Sequence, residues 1–310
     1  MFQEKRLVFM YATSPVHMGS GTSLGVIDNP IQRERHTGHP LFAGSGIKGA
    51  AREQAADSDM SREEITKIFG PESSASDHAG AVSFADAQVV AFPVRSLKEG
   101  FVYATCPLAM ARLARLAGTA GCPVPDELPS VPGDRQAVVA DHGLLSEGKL
   151  VLESYEFDNM DEGYSQVMGK VAGWLAGHAL PDVPEYKFFR EKVKKHLVLL
   201  SDTQFGHFVA NATVVEPHVR IDDTSGTADE GGLFFTENVP PESIFVSLLM
   251  SSPERRKKGS DGKGMDAVDV INKVTEVLDS RLLQIGGDAT TGRGQVVLSF
   301  AGADNSGKEG

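Results

Sequence analysis

Residues 266–300, DAVDVINKVTEVLDSRLLQIGGDATTGRGQVVLSF, carry the pattern on which the reading of the fold turns. Asp266 stands at an N-cap position, and apolar residues recur at 267, 270, 271, 274, 277, 278 and 282. That is helical spacing, so a helix is predicted from Asp266 to about Leu282. The glycines of IGGDATTGRG then make a turn, and QVVLSF reads as a strand. The N-terminus has a comparable pairing of strand and helix. LVFMYATS (7–14) is rich in β-formers and reads as a strand, and Ser45 is expected to cap a helix to about Gln54.

Between these ends, SREEITKIFGP carries its own start and stop: Ser61 with Glu64 forms a capping box, and Gly70-Pro71 ends the helix. AVSFADAQVVAF (81–92) and GFVYATC (100–106) read as strands, and Pro107 opens a helix that Gly118 closes. Gly121 to Val138 reads as a surface loop. VLESYEF (151–157) is a strand candidate, SQVMGKVAGWLAGHAL a helix, and EYKFFREKVKKH an amphipathic helix running into the strand LVLLSD. Two further strands flank the Gly/Asp-rich DDTSGTADEGG and make a hairpin, followed by the strand SIFVSLLM. The order strand, helix, strands, helix, glycine-rich turn, strand predicts an α+β fold, a ferredoxin-like βαββαβ core with large insertions. SSPERRKKGSDGKG is expected to be a mobile basic loop, and the polar tail 302–310 to be disordered.

The chain has 310 residues, enough for one domain with insertions or two domains. Hydrophobic residues make up 41% and charged residues 23%, which excludes collagen-like, coiled-coil and wholly disordered classes. No apolar run is long enough for a membrane helix, and the charged N-terminus is unlike a signal peptide, so a cytoplasmic protein is expected. Two cysteines, Cys106 and Cys122, rule out a disulfide framework and a structural zinc site. The net charge of −12 argues against a protein coated with basic charge for nucleic acid. Residues 1–53, however, carry a net +2 and hold seven glycines between Gly19 and Gly49, so a groove there can attract phosphate locally.

The stretch from about 15 to 44 is a long loop without period, and such loops are functional or disordered. Gly44-Ser45-Gly46-Ile47-Lys48-Gly49 formally matches a dinucleotide fingerprint, but Glu63 and Glu64, at the right distance for the acidic partner, sit in a capped helix. What the segment offers is a helix start with free amides and with Lys48 and Arg52 four residues apart on one face. That suits a phosphate chain, the plainer alternative being a solvated basic helix start. Gly286, Gly287 and Gly292-Arg293-Gly294 form a second such turn, either a backbone-binding site or a simple bend. Asp28, before Asn29-Pro30, is either an Asx-turn residue or a carboxylate serving as general base or metal ligand. His17 is either a packed loop histidine or an acid, base or phosphate contact.

The run PVHMGSGTSLGVIDNPIQRERHTGHPLFAGSGIKGAAR (15–52) resembles the opening of the backbone subunit of the type III-B CRISPR effector, the fourth subunit of the Cmr complex, in the RAMP superfamily. GGDATTGRGQV resembles that superfamily's glycine-rich loop (about 286–294), and about 212–245, ending LFFTENVPP, resembles its thumb hairpin. The resemblance implies a single RRM-like palm over 1–310 with a thumb, stacked in several copies along a guide RNA beside other subunits of the complex. It implies cleavage of bound target RNA at regular intervals by the aspartate of the loop after the first strand, here Asp28. His17 and Glu237 match positions near the scissile phosphate, and Thr236-Glu237-Asn238 departs from the acidic-aromatic pair frequent in the family. Ser45, Lys48, Arg52, Gly286, Gly287 and Arg293 are the implied RNA-backbone contacts, and Asp28 the implied ligand of a divalent ion such as Mg²⁺. If RNA's own 2′-hydroxyl is the nucleophile, one carboxylate suffices and DNA is not cut. The rival readings are a structural RNA-binding subunit that does not cut, and a small-molecule enzyme using a nucleotide cofactor.

Overall fold

The computed structural model describes residues 2–71, 79–125, 127, 129, 132–160, 162–255 and 264–302. Of the tail read as disordered, 303–310 lie outside the described residues, as do 256–263 of the basic loop read as mobile. In chain order the first elements are β1 (Glu4–Ala12), β2 (Leu41–Phe42), α1 (Gly44–Ala56), α2 (Arg62–Phe69), β3 (Val82–Phe84), β4 (Ala87–Ser96), β5 (Gly100–Thr105) and α3 (Pro107–Thr119). The middle holds β6 (Gln136–Val139), β7 (Leu145–Ser146), β8 (Lys149–Leu152), β9 (Tyr155–Asn159), α4 (Glu162–Ala179), α5 (Lys187–His196), β10 (Leu197–Leu199) and α6 (Asp202–Asn211). The last are β11 (Val214–Ile221), β12 (Ala228–Asn238), β13 (Ile244–Ser251), α7 (Ala267–Leu278), β14 (Leu282–Gln284) and β15 (Gln295–Ala301).

β1 is central because its residues from Leu7 to Ala12 are apolar and buried on both faces. It pairs antiparallel with β13 on one side and β15 on the other, in a sheet ordered β14-β15-β1-β13-β4-β5-β10-β6-β9-β8-β7. Alternation along the strand divides the interior into two layers. Val8, Met10 and Ala12 pack with Ile47 and Ala51 of α1 and with Val270, Ile271 and Val274 of α7. Leu7, Phe9 and Tyr11 pack on the opposite face with Met110 and Leu113 of α3, Val171 and Leu175 of α4 and Val193 of α5. β11 and β12 form a separate two-stranded sheet. The fold is a mixed α/β architecture.

Several local expectations hold. Ser61 and Glu64 make the capping box of α2, Pro107 occupies the first turn of α3, and Asp266 caps α7. Others need correction. Ala43, not Ser45, is the N-cap of α1, and Gly44 starts the helix because a Cβ there would lie 2.2 Å from the Phe84 carbonyl oxygen. The Gly44 N–H donates to Asp86 Oδ1 at 2.8 Å, so the segment 81–92 breaks at Ala85-Asp86 into two strands instead of one. VLESYEF is likewise two strands, β8 and β9, around Glu153 at φ 51°. The helix from Asp266 ends at Leu278, since Ser280 at φ 58° turns the chain into β14 and leaves Leu282 exposed. α6, capped by Ser201 accepting from the Gln204 N–H, had no counterpart in the sequence reading.

Candidate functional site

The loop from Pro15 to Ala43 is stitched to one edge of β12. In a strand the N–H and C=O of alternate residues face the same side. β11 takes one side of β12, and Phe235, Glu237 and Val239 present their backbone groups to the other. There the Asn29 N–H donates to the Phe235 carbonyl and the Glu237 N–H donates to the Asn29 carbonyl, both at 3.0 Å. Val16 and Val239 exchange two bonds of 2.9 Å.

Asp28 and His17 are placed by that edge. Asp28 is half-buried, and its Oδ2 accepts from the Phe235 N–H at 2.7 Å; no bond to its other oxygen is found among the described residues. His17 Nδ1–H donates to the Glu237 carbonyl at 2.7 Å, which fixes the tautomer and leaves Nε2 as the second functional nitrogen. The two anchors are two residues apart on one strand, about 7 Å along it. Glycines surround the imidazole. A Cβ at Gly19 would lie 2.7 Å from His17 Nε2, and one at Gly286, where φ is +73°, would lie 2.3 Å from the His17 carbonyl oxygen. The Gly287 N–H donates to that same carbonyl at 2.9 Å. The loop 286–294 therefore buttresses His17.

Glu237 sits differently. It is only 3% exposed. Its Oε1 accepts from Arg33 at 2.6 Å and from the Thr213 hydroxyl at 2.9 Å, and its Oε2 from the Ile31 N–H at 3.1 Å. Arg33 also donates to the carbonyls of Gly38 and Val209 at 2.8 and 2.9 Å. Arg33 and Thr213 were missed by sequence reasoning. A contact 204 residues apart leaves no local signal, and Arg33 counted only as charge.

The basic candidates divide. Ser45 is exposed in the first turn of α1, and Lys48 is half-buried with no hydrogen-bond or ion-pair partner among the described residues. Burial, then the nearby positive charges of Arg52 and Arg255, hold the Lys48 ammonium below its ordinary pKa. Arg52 donates to the Gly70 carbonyl. Met18 ties this helix start to the loop, its Cε lying 3.3 Å from where a Cβ on Gly46 would be. Arg293, expected to meet RNA backbone, is instead 8% exposed and ion-paired with Glu216 of β11 and with Asp288. It joins the glycine-rich loop to the hairpin.

The β11-β12 hairpin carries exposed apolar residues: Val219, Ile221, Leu233 and Phe234. Val219 faces Leu233 across the pair, and the Phe234 ring stacks on His218 with centroids 5.1 Å apart. Asp222 closes the tip by accepting from the Thr224 and Ser225 N–H groups. The cofactor-enzyme reading fails on topology, because a dinucleotide site needs a parallel βαβ unit and β1 is antiparallel to both neighbours. Among the described residues no three His, Cys, Asp or Glu side chains come together to hold a metal, and no helix is long and apolar enough to cross a membrane. Both cysteines are buried, with burial raising their thiol pKa values, which removes them as nucleophiles.

Comparison with known proteins converges on one family. The profile described as the RAMP superfamily matches residues 9–297. The Pyrococcus furiosus protein named "CRISPR system Cmr endoribonuclease Cmr4" is 33% identical over 305 residues, covering 97% of both chains. The Saccharolobus solfataricus "CRISPR system CMR subunit Cmr4" is 27% identical over 316 residues, covering 94% of this chain and 95% of its own. The crystal structure of oligomeric Cmr4 from Pyrococcus furiosus superposes with a TM-score of 0.73 at 26% identity, over 98% of this chain and 100% of that one. A chain of the type III-B Cmr-beta complex bound to cognate target RNA shares the fold, with a TM-score of 0.69 at 19% identity over 96% and 98% of the two chains.

Proposed function

Because the chain belongs to the RAMP superfamily and within it to the Cmr4 subunits, we propose that it is a repeating backbone subunit of an RNA-guided CRISPR effector and cuts bound target RNA with Asp28. The sheet order β15-β1-β13-β4, with α1 and α7 packed on one face, supports reading the core as a ferredoxin-like, RRM-like palm and β11-β12 as its thumb. Lys48, without a partner among the described residues, and Arg52 one turn further along α1 support a guide-RNA track there. The oligomeric relative supports self-association into a filament beside other subunits.

The observation that carries the reading is Asp28 itself. One carboxylate oxygen is held by the backbone of the hairpin and the other is open, so the group is oriented without being consumed. In the mechanism, the 2′-hydroxyl of a twisted nucleotide attacks the adjacent phosphorus in line, and its proton passes to the open oxygen of Asp28. The 2′-oxygen–phosphorus bond forms as the bond to the 5′-oxygen breaks. His17, its ring fixed through Nδ1–H, delivers a proton to the departing 5′-oxygen when the imidazole has also taken one up on Nε2. The products are a 2′,3′-cyclic phosphate and a 5′-hydroxyl. A lone carboxylate fits Mg²⁺ only as one ligand among waters and RNA phosphate oxygens, the arrangement that ion favours. Bound there, Mg²⁺ would neutralise phosphate charge.

The test is a target strand with a single 2′-deoxynucleotide placed before one expected cut, offered to the assembled complex. Cutting is expected to vanish at that position alone and to continue at the others. Continued cutting there would exclude the 2′-hydroxyl mechanism, and no cutting of an all-RNA target anywhere would favour the purely structural subunit.

A further inference from the structure

The carboxylate of Glu237 has no oxygen to spare. Three donors converge on it, and they come from different segments: Ile31 and Arg33 from the loop after β1, and Thr213 from the connection between α6 and β11. Arg33 spreads the linkage further, donating to the Gly38 carbonyl of its own loop and to the Val209 carbonyl near the C-terminal end of α6, where the helix dipole favours a cation. Ile31 lies three residues after Asp28, and Glu237 lies two residues after Phe235, whose N–H holds the Asp28 carboxylate. The carboxylate, nearly inaccessible to solvent, is thus aimed at protein and not at a ligand.

We propose that Arg33, Glu237 and Thr213 form a latch that makes the Asp28 loop and the root of the β11-β12 hairpin move as one body, so that the hairpin's position on the RNA sets the position of the cut. Glu237 and Arg33 are positioning residues that act through Asp28. The proposal rests on the reading of Asp28 as the cleaving residue. A latch of this kind has a signature that a group meeting the phosphate lacks: losing it misplaces the carboxylate without removing it. A displacement near 1 Å costs roughly 100-fold in rate.

The experiment compares single-turnover cleavage and cut positions in assembled, guide-loaded complexes carrying Glu237→Gln, Glu237→Ala, Arg33→Lys, Arg33→Ala, the Arg33→Ala/Glu237→Ala pair, and Asp28→Asn as control. The isosteric Glu237→Gln keeps part of the donor set and is expected to lose about 10-fold, as is Arg33→Lys, one charge-assisted bond being worth about that factor. Both alanine variants are expected to lose roughly 100-fold and to scatter cuts onto neighbouring positions, and the pair to be no worse than either single change. Glu237→Gln as inactive as Asp28→Asn would make Glu237 a catalytic group and overturn the latch. Wild-type rates and cut positions in Arg33→Ala would overturn it equally. Undiminished cutting by Asp28→Asn would instead remove the reading beneath it, a result distinct from both.

Discussion

Gly286→Ala separates backbone strain from displacement of the site. Two things happen at once in this variant. An L-residue is forced to φ +73°, which costs about 1–2 kcal/mol, and its Cβ lands 2.3 Å from the His17 carbonyl oxygen, where non-bonded heavy atoms rest about 3.5 Å apart. Relief requires a shift of about 1 Å, which also breaks the 2.9 Å bond from the Gly287 N–H to the same carbonyl, worth about 1 kcal/mol. The expected result is a loss of about 2–3 kcal/mol of stability, and about 100-fold slower single-turnover cleavage because His17 moves with its backbone. Two neighbours supply the controls. Gly292→Ala meets the same strain at φ +80° but nothing within 4 Å, so it should lose about 1–2 kcal/mol and keep the wild-type rate. Gly287→Ala adds a Cβ 3.8 Å from His17 Cδ2, an ordinary contact, and should be close to neutral in both. Thermal unfolding and single-turnover cleavage on the three variants decide the matter. Equal rates for Gly286→Ala and Gly292→Ala would refute the claim that the glycine-rich loop positions His17.

Lys48→Ala with Arg52→Ala should weaken guide binding regardless of sequence and flatten its log–log salt dependence by about 0.7 for each phosphate no longer neutralised; an unchanged slope and affinity would return both to a solvated helix face. Replacing 222–232 with a short Gly-Ser turn should leave guide binding largely intact but lower cleavage and blur the spacing of cuts, if the exposed Val219 and Leu233 of the hairpin serve to part stacked bases; unaltered spacing and rate would show that they do not. Burial pushes the Glu242 carboxyl from its ordinary 4.5 up to about 7, and its Oε2 has no partner among the described residues. The folded chain therefore holds that proton to higher pH than the unfolded chain, so this contribution to stability falls as pH rises from about 4.5 to about 7. Glu242→Gln should remove that part of the pH dependence of thermal unfolding, and an identical profile would refute it.

The parts of the fold legible in the sequence are those encoded locally. Capping residues at Ser61 and Asp266, the apolar run of β1 and the Gly/Asp tip of the hairpin each carry their signal within a few residues. Ser45 misled because the start of α1 is set by distant atoms, the Phe84 carbonyl that admits only glycine at 44 and the Asp86 carboxylate that receives its N–H. The two strands within 151–157 were hidden because Glu153, not a glycine, takes the left-handed turn. At the site, the residues alone left Asp28 and His17 with plainer alternatives, and the family resemblance of their loop singled them out. What they lean on carried no such signal. The bonds to Phe235 and Glu237 span more than 200 residues, and Arg293, an implied RNA-backbone contact, is paired with Glu216 on a strand 77 residues away.

The most direct measurement on the central claim is target-RNA cleavage by the assembled, guide-loaded complex carrying Asp28→Asn. The amide keeps an oxygen to accept the Phe235 N–H, so the loop stays in place while the open oxygen loses its capacity to take a proton. Target binding close to wild type with cleavage abolished is the predicted outcome. Cleavage at the wild-type rate in the same preparation would contradict the account.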